Sequence, residues 1–404
     1  MSNSQHKALK VAFISVFAFL VILYSTRLRA DSGVCGGQTI NLPFTDVAGN
    51  LFFCQIAEAY LSGLTYGTDA THYSPSEVVP RGQMAAFITR TQDSILRRGS
   101  LRAALNMWAT PKTVGSGAIT GVGCFPTDVA SDGVDLWVAN PQHNGFCGVG
   151  TVSRIRASDG RGIETWTNAD GAQGVCVARG RIWVTGCTET VNGSLYRIDP
   201  KLPAGDVTVV TRNLGTCPHN ITTDGFYLWT ANFDSISRVH PGTGDVQTIT
   251  AGFSEPAGIC YDGNHIWVAD AGDNRLKQLN SDGSIALSVT LDGAGGQPVY
   301  DGRNIWVPSG YAGFEEVAVV RASTGTVIAT LDGNGLSLPD CAAFDGERIL
   351  VANHGNYSVS LWSATDLLPL GNVPTGPNTE PYAVCSDGIN FWIVLHGTNQ
   401  LLRF

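Results

Sequence analysis

Histidine, carboxylate and amide side chains recur in this sequence at two places, shortly before and shortly after one kind of apolar run. Histidines beside carboxylates could bind a metal ion or exchange protons with a substrate. Asparagine or aspartate at the end of a strand more often satisfies backbone groups of a turn. The candidates are Asp128, Asn140, His143, His219, Asn232, Glu255, Asp270, Asp340, Asn353, His354, Glu380 and His396. The sequence contains no nucleophile elbow, P-loop or HExxH motif.

The apolar run beside these residues occurs seven times. Asp-Gly followed by aromatic and β-branched residues is typical of a β-hairpin. The copies are "DGVDLWVAN" (132–140), "RGRIWVTG" (179–186), "DGFYLWTAN" (224–232), "DGNHIWVAD" (262–270), "DGRNIWVPS" (301–309), "DGERILVAN" (345–353) and "DGINFWIVL" (387–395). The aligned bulky residues are Trp137, Trp183, Trp229, Trp267, Trp306, Leu350 and Trp392.

Successive copies lie 38 to 46 residues apart, which leaves room for about four short strands in each unit. This period predicts an all-β fold: a seven-bladed β-propeller of four-stranded antiparallel blades over residues 99–404. A pair of β-sandwiches is the alternative, although sandwiches do not keep one tryptophan in register seven times. The last copy ends after its third strand, so we expect residues 101–111 to pair with 400–404 and close the ring.

The repeats resemble the YVTN/NHL-type propeller superfamily, because "LWVAN" and "LWTAN" stand where that family has its YVTN signature. The resemblance implies that the candidate side chains open on one face around a central channel. The superfamily includes streptogramin lyases, which use His and Glu with Mg²⁺ at the channel mouth. Their catalytic positions cannot be matched here residue by residue, so the resemblance implies no catalytic residue.

Residues 31–98 do not show the repeat pattern and predict a small helical domain, with Phe52, Ile56 and Tyr60 at helical spacing. "FTDV" (44–47), "LSGLTYG" (61–67) and "YSPSEVVPRGQMAAF" (73–87) resemble a single, divergent S-layer homology (SLH) module. In that family an arginine at the position of Arg81 contacts wall polymers, so the resemblance implies this role for Arg81. Because anchoring usually employs three modules, a purely structural collar is the alternative.

Residues 1–30 combine Lys7 and Lys10 with an apolar run of 15 residues, which is typical of a secretory signal peptide. An uncleaved signal anchor is the alternative, and only that alternative implies a membrane contact. Either interpretation predicts an exported chain, secreted or held at the cell envelope. The net charge is −9, and removal of residues 1–30 deletes four basic residues and no acid, leaving −13. An acidic chain argues against a nucleic-acid partner.

All ten cysteines lie after residue 30, as expected of an exported chain with disulfides. The predicted pairs are Cys35–Cys54 in the small domain, and Cys124–Cys147 and Cys187–Cys217 in channel-face loops of the propeller. Cys176, Cys260 and Cys385 lie within innermost strands and are expected to be free. No cysteine or histidine spacing indicates a zinc site.

These observations predict an exported, envelope-associated binding module that acts through the channel-face loops. Its partner would be a cell-wall or envelope polymer, a glycan or a protein, and the chain would be a monomer without a cofactor. The alternative is a lyase or hydrolase of the streptogramin-lyase type, assisted by a divalent metal such as Mg²⁺ at the channel mouth. We favour the binding module, because no catalytic motif is present.

Overall fold

The computed structural model describes residues 30–35, 38–61, 65, 67–79, 84, 118–120, 122–141, 149–187, 192–293, 295–310 and 313–404. The chain divides into two compact units, Met1–Ile95 and Leu96–Phe404, whereas we placed the boundary after residue 98. Each unit contains its own cluster of buried apolar side chains. The predicted signal segment, apart from Ala30, lies outside the described residues.

The N-terminal unit contains a β-hairpin that the sequence analysis did not predict. Strands β1 (Asp31–Cys35) and β2 (Gln38–Leu42) pair in antiparallel register, and helix α1 (Phe53–Leu61) follows. The predicted disulfide Cys35–Cys54 joins β1 to α1. Arg81 and the residues from 80 to 98 around it lie outside the described residues, apart from the single helical residue Met84.

The inward face of α1 differs from the predicted one by one residue. Phe52 precedes the helix and is exposed, whereas Phe53 is buried together with Ile56. Both pack in a small core with Phe44 and Val47. The Asp46 carboxylate accepts hydrogen bonds from the backbone amides of residues 73 and 74, and so ties the later loop to the start of the unit.

The second unit is the predicted seven-bladed β-propeller. Seven four-stranded antiparallel sheets follow one another along the chain, and the first six take their strands in chain order. Blade one consists of β4 (Asp128–Ser131), β5 (Asp135–Asn140), β6 (Thr151–Arg156) and β7 (Gly162–Trp166). Blade two consists of β8 (Ala172–Ala178), β9 (Arg181–Gly186), β10 (Asn192–Ile198) and β11 (Thr208–Thr216). Blade three consists of β12 (Asn220–Thr223), β13 (Leu228–Ala231), β14 (Ile236–Val239) and β15 (Val246–Ile249). Blade four consists of β16 (Pro256–Tyr261), β17 (Ile266–Asp270), β18 (Arg275–Leu279) and β19 (Ile285–Thr290). Blade five consists of β20 (Val299–Tyr300), β21 (Asn304–Ser309), β22 (Glu316–Arg321) and β23 (Thr326–Leu331). Blade six consists of β24 (Pro339–Phe344), β25 (Arg348–Asn353), β26 (Ser358–Ser363) and β27 (Pro369–Pro374).

Blade seven combines the two ends of this unit. It consists of β28 (Pro381–Ser386), β29 (Phe391–Leu395), β30 (Gln400–Arg403) and, from the start of the unit, β3 (Ala118–Thr120). Residues 118 to 120 pair with residues 402 to 400, so the ring is closed by strand exchange. The closing strand is β3 and not 101–111, which lies outside the described residues. β3 has only three residues, too few to show a period of two in the sequence.

The repeated tryptophans form the contacts between neighbouring blades. Trp137 packs with Val184 and Tyr196 of blade two, and Trp229 packs with Val268 of blade four. Trp267 in turn packs with apolar residues of blade five. All six repeated tryptophans are at least 98% buried, so each contributes its full apolar area to a seam between blades.

A carboxylate at the hairpin turn fixes five of these six tryptophans. In blade three, one oxygen of Asp224 accepts hydrogen bonds from the backbone amides of residues 226 and 227. Its other oxygen accepts the indole N–H of Trp229 at 2.8 Å. The same three-bond arrangement, which we call the Asp–Trp clamp, occurs in five blades. The pairs are Asp132–Trp137, Asp224–Trp229, Asp262–Trp267, Asp301–Trp306 and Asp387–Trp392.

Two blades depart from the clamp in complementary ways. In blade two Ala178 stands at the aspartate position, and the indole of Trp183 donates to its backbone carbonyl at 3.1 Å. In blade six Leu350 replaces the tryptophan, and the guanidinium of Arg348 takes the free oxygen of Asp345 at 2.8 Å. Each substitution leaves the remaining partner satisfied, as burial requires.

We expect Asp224→Ala to destabilise the propeller by about 3 kcal/mol, because it leaves two turn amides and the buried indole N–H of Trp229 without an acceptor. Urea unfolding of the whole chain measures this change. Phe226→Ala in the same turn is the control, since Phe226 is 72% exposed and its loss should cost about 0.5 kcal/mol or less. Equal effects of the two substitutions would contradict the role of the clamp.

Candidate functional site

The two ends of the propeller carry different loops. In an antiparallel meander, the Asp-Gly turns between first and second strands all lie at one end. The loops between second and third strands, and the connections between blades, lie at the other. A cavity of ≈ 360 Å³ opens at this second end, and side chains from all seven innermost strands or their entrances line it. We call this cavity the channel mouth.

One residue from each blade lines the channel mouth at the same position of the repeat. It stands ten residues before the aligned Trp or Leu, or nine residues before it in blade five. The ring consists of Thr127, Gln173, His219, Ala257, Gln297, Asp340 and Tyr382. The same position of the repeat therefore contributes one side chain from each of the seven blades to the lining of one cavity.

Hydrogen bonds between neighbouring blades hold this ring together. The hydroxyl of Thr127 donates to the carbonyl of Gln173 at 2.9 Å, and the backbone amide of Gln297 donates to the carbonyl of Asp340 at 2.7 Å. Gly174 allows the inner strands to approach closely, since a Cβ there would lie 2.7 Å from the backbone oxygen of His219. The mouth is therefore preorganised by the backbone.

Backbone strain is concentrated at the same end of the propeller. Four residues that each precede a proline have positive φ angles of 44° to 51°, in the left-handed region. They are Phe125, Cys217, Leu338 and Glu380. A residue before proline ordinarily prefers extended backbone, and such strained positions cluster at functional sites.

Asp128 lies at the channel mouth and is only 6% exposed. Its two oxygens accept backbone amides of Val129 and Val175, each at 2.8 Å. Burial raises the pKa of Asp128 to about 7, and the two amides oppose this effect only in part. The group can therefore exchange a proton near neutral pH.

His219 and Glu255 lie on the side of the mouth formed by blades three and four. Burial lowers the pKa of His219, and the charge of Glu255 acts in the opposite direction. Phe233, which is about half exposed, and Asn220 complete this side of the lining. The amide of Asn220 donates to the carbonyl of Ala257 at 2.9 Å.

A buried ion pair holds the backbone that carries Glu255. Asp270 is fully buried and accepts the backbone amides of Ser254 and Glu255 at 3.0 and 2.7 Å. The ammonium of Lys277 donates to Asp270 and to Asp273, both at 2.6 Å. Blade four thus uses a charged pair where blades one, three and six place an asparagine beside a serine.

Aromatic rings form a wall on the opposite side of the mouth, across blades six, seven and one. The ring of Tyr382 lies 6.1 Å from the imidazole of His354 and 5.4 Å from that of His396, which in turn lies 5.4 Å from Phe125. His354 lies 3.5 Å from Asp340. We call Phe125, His354, Tyr382 and His396 the aromatic wall.

The pKa values of His354 and Tyr382 in this wall are raised by different causes. The contact with Asp340 raises the pKa of His354, and the charge of Glu380, 4.0 Å away, adds to the effect. Burial raises the pKa of Tyr382 to about 12, so this phenol stays protonated. The imidazole of His396 contacts the carbonyl of Pro126 at 3.1 Å, which links blade seven to blade one.

The structure sorts the predicted site residues into three groups. Those that line the mouth are Asp128, His219, Glu255 and Asp340, with His354, Glu380 and His396 beside them around Tyr382. Those that are buried and bonded within their own blades are Asn140, Asn232, Asp270 and Asn353. These four satisfy loop backbone and neighbouring hydroxyl groups and are not part of the cavity lining. His143 lies outside the described residues.

Several lining residues were not predicted from the sequence, and four of them offer amide or aromatic side chains to a ligand. They are Gln173, Phe233, Gln297 and Tyr382. A signal for three of them was present, since Gln173, Gln297 and Tyr382 follow from counting back from each aligned tryptophan. Phe233 lies in a loop between second and third strands, where the repeat has no fixed length.

The cysteines at this end agree with the predicted pairing where the structure describes them. Cys187–Cys217 joins blade two to the entrance of blade three, and Cys217 lines the mouth. Cys124 is disulfide-bonded, and its predicted partner, Cys147, lies outside the described residues. Cys176, Cys260 and Cys385 are free, as predicted, and so is Cys341. Burial raises the pKa of all four thiols, which keeps them protonated.

Within the described ranges, no group of three or more His, Cys, Asp or Glu side chains is arranged to hold a metal ion. His354 lies 3.5 Å from Asp340 and 4.0 Å from Glu380, and the other carboxylates and histidines of the mouth are spread around the ring. The described residues therefore do not fit the Mg²⁺ site that the lyase alternative implies, and no chemical step is assigned to a metal.

Comparison with known proteins identifies an NHL repeat at residues 253–279, within blade four. Three solved structures share the propeller fold. A WD40 β-propeller domain of Doa1 has 14% identity over 72% of this chain and 97% of its own, with a TM-score of 0.58. A streptogramin B lyase has 17% identity over 71% and 95%, and hydrazine synthase of Kuenenia stuttgartiensis has 15% over 72% and 99%, both with a TM-score of 0.57. No curated protein matches the sequence significantly. At these identities the structural likeness shows the fold alone.

We expect the two histidines at the mouth to titrate on opposite sides of the ordinary pKa of 6.5. His354 should titrate above that value and His219 below it, which NMR of the imidazole signals measures. Because the folded state favours charged His354, its stabilising contribution is present at low pH and is lost as the pH rises through its raised pKa. Asp340→Asn should lower the pKa of His354 and leave that of His219 unchanged. If the pKa of His354 does not change in Asp340→Asn, the assignment of Asp340 as its partner is contradicted.

Proposed function

We propose that the propeller is a binding module that takes a polar, sugar-containing ligand into the channel mouth. The observation that carries this proposal is the ring of seven side chains, one from each blade, around a single cavity. A cavity that gathers hydrogen-bonding groups and aromatic rings is the usual form of a small-ligand site. An NHL repeat within a propeller is consistent with an interaction module.

The chemistry of the lining favours a carbohydrate over an anionic polymer. Gln173, Gln297 and Asn220 can donate to and accept from hydroxyl groups, and Tyr382 and Phe233 offer aromatic faces. Among the described lining residues there is no lysine or arginine, whereas three carboxylates are present. Nucleic acids and anionic wall polymers would meet repulsion here.

We further propose that the chain is exported and acts at the cell envelope. The disulfides Cys35–Cys54 and Cys187–Cys217 are compatible with an extracellular location. In the part of the chain that the structure describes, no helix is both long and apolar enough to cross a membrane. The resemblance of segments 44–47, 61–67 and 73–87 to an SLH module is the basis for proposing a wall contact through Arg81.

The alternative function is a lyase or hydrolase at the same mouth. It is supported by His354, which lies 3.5 Å from Asp340 and beside Tyr382, an arrangement able to move a proton at a bound ligand. The fold shared with a streptogramin B lyase is compatible with this alternative. Conversion of a bound sugar by the purified chain would favour the enzyme over the binding module.

We expect neutral oligosaccharides to bind the purified propeller, and Tyr382→Ala and Gln297→Ala each to weaken binding about tenfold, a loss of about 1.4 kcal/mol. Calorimetric titration after a glycan-array screen measures these affinities. Phe226→Ala is the matched control, because Phe226 is an exposed aromatic residue at the Asp-Gly turn end. Binding that both mouth variants retain in full, or that Phe226→Ala abolishes, would refute the channel mouth as the site.

We expect the full chain to fractionate with the cell envelope, and Arg81→Ala to release it into the soluble exported fraction. Arg90→Ala is a control of equal charge in the same segment. Fractionation followed by immunodetection distinguishes the outcomes. Recovery of the chain from the cytoplasm would refute export, and envelope retention of the Arg81 variant would refute the wall contact.

A further inference from the structure

We propose that the channel mouth selects a ligand with a protonated amine, which makes amino sugars its substrate class and Asp128 the residue that binds the ammonium group. This inference rests on the proposed function and adds the chemical identity of the group recognised. It is argued from the pairing of buried carboxylates, from the lining of the cavity and from its aromatic faces.

The first observation is the missing counter-charge of Asp128. Elsewhere in the described propeller, a buried aspartate that receives no indole N–H is paired with a cation at 2.6 to 2.8 Å. The pairs are Asp135–Arg154, Asp270–Lys277 and Asp345–Arg348. Within the described residues, the only hydrogen-bond donors to Asp128 are two backbone amides. A buried carboxylate without a cation is costly, and a bound ammonium would remove that cost.

The second observation is that Asp128 borders the cavity. The side chain is 94% buried, yet it belongs to the lining of the mouth. Asp128 therefore borders the space that a ligand in the cavity would occupy. Burial raises the pKa of Asp128, and a bound cation would act in the opposite direction by favouring the charged form.

The third observation concerns the groups that would surround the ammonium and the rest of the ligand. Glu255 and Asp340 add two carboxylates to the lining, and among the described residues no lysine or arginine competes with a bound cation. Tyr382 and Phe233 present aromatic faces, which attract both ammonium groups and the apolar faces of sugar rings. The cavity volume of ≈ 360 Å³ suits a short segment of a chain and not a whole polymer strand.

The test compares three tetrasaccharides with the same β-1,4-linked glucose backbone, which differ only at C2. Cellotetraose carries a hydroxyl, chitotetraose an acetamide and fully deacetylated chitotetraose an ammonium group. Calorimetric titration of the full chain at about pH 7 and low salt should give at least about tenfold tighter binding of the ammonium form. Added salt should reduce that advantage, because it screens charge pairs.

Two variants assign the selectivity to the mouth. Asp128→Asn keeps the shape of the side chain and should remove most of the advantage that the ammonium form has over chitotetraose, whatever the change in the affinity for chitotetraose itself. If Asp128→Asn does not fold, as judged by its thermal melt, Asp340→Asn provides the same comparison at the rim of the mouth. Asp282→Asn changes the net charge equally at an exposed turn and should change none of the three affinities.

The outcomes separate this inference from the function on which it rests. Tight binding of the ammonium form that depends on Asp128 supports both, and a dependence on Asp340 supports amine selection at the mouth without assigning the ammonium to Asp128. Binding of the three sugars with equal affinity, or tightest binding of the acetamide, overturns amine selection and leaves sugar binding intact. An ammonium advantage that persists in the folded Asp128 variant overturns the role of that carboxylate. Binding of none of the three overturns both the inference and the proposed glycan function.

Discussion

The hydrogen bond between a turn aspartate and a buried tryptophan is the interaction on which the rest of the propeller depends. The aspartate closes the hairpin between the first two strands of a blade and at the same time fixes the indole that packs against the next blade. Strand register and blade spacing are therefore set by one side chain. Where the aspartate or the tryptophan is missing, in blades two and six, another group satisfies the partner that remains.

The clamp and the channel mouth lie at opposite ends of the same innermost strands. Because the clamp fixes the register at one end, the residue ten positions before each tryptophan reaches the mouth in every blade but the fifth, where a shortened connection makes it nine. The scaffold repeats, while the side chains at that position differ from blade to blade. A binding site can thus vary without disturbing the seams that hold the blades together.

The sequence was sufficient to predict the blades, because six tryptophans and one leucine in register have a period that no local effect imitates. The chemistry of His219 and Asp340 marked them as candidates, and the loops of Cys187 and Cys217 indicated their disulfide. Tyr382 and Gln297 were missed, because their place in the lining comes from position in the ring and not from residue type. The burial of Asn140 and Asn353 was not predicted, since sequence does not show whether the end of a strand is buried. The three-residue closing strand was misassigned, because it is stabilised by partners about 280 residues away and not by a local pattern.

A crystal structure of the propeller with fully deacetylated chitotetraose is the measurement that tests the account most directly. The account predicts a sugar ring in the channel mouth, with its ammonium nitrogen about 3 Å from an oxygen of Asp128 and a ring face against Tyr382. A sugar bound at the outer edge of a blade would contradict the account. So would a sugar in the mouth whose amine points to solvent, away from Asp128.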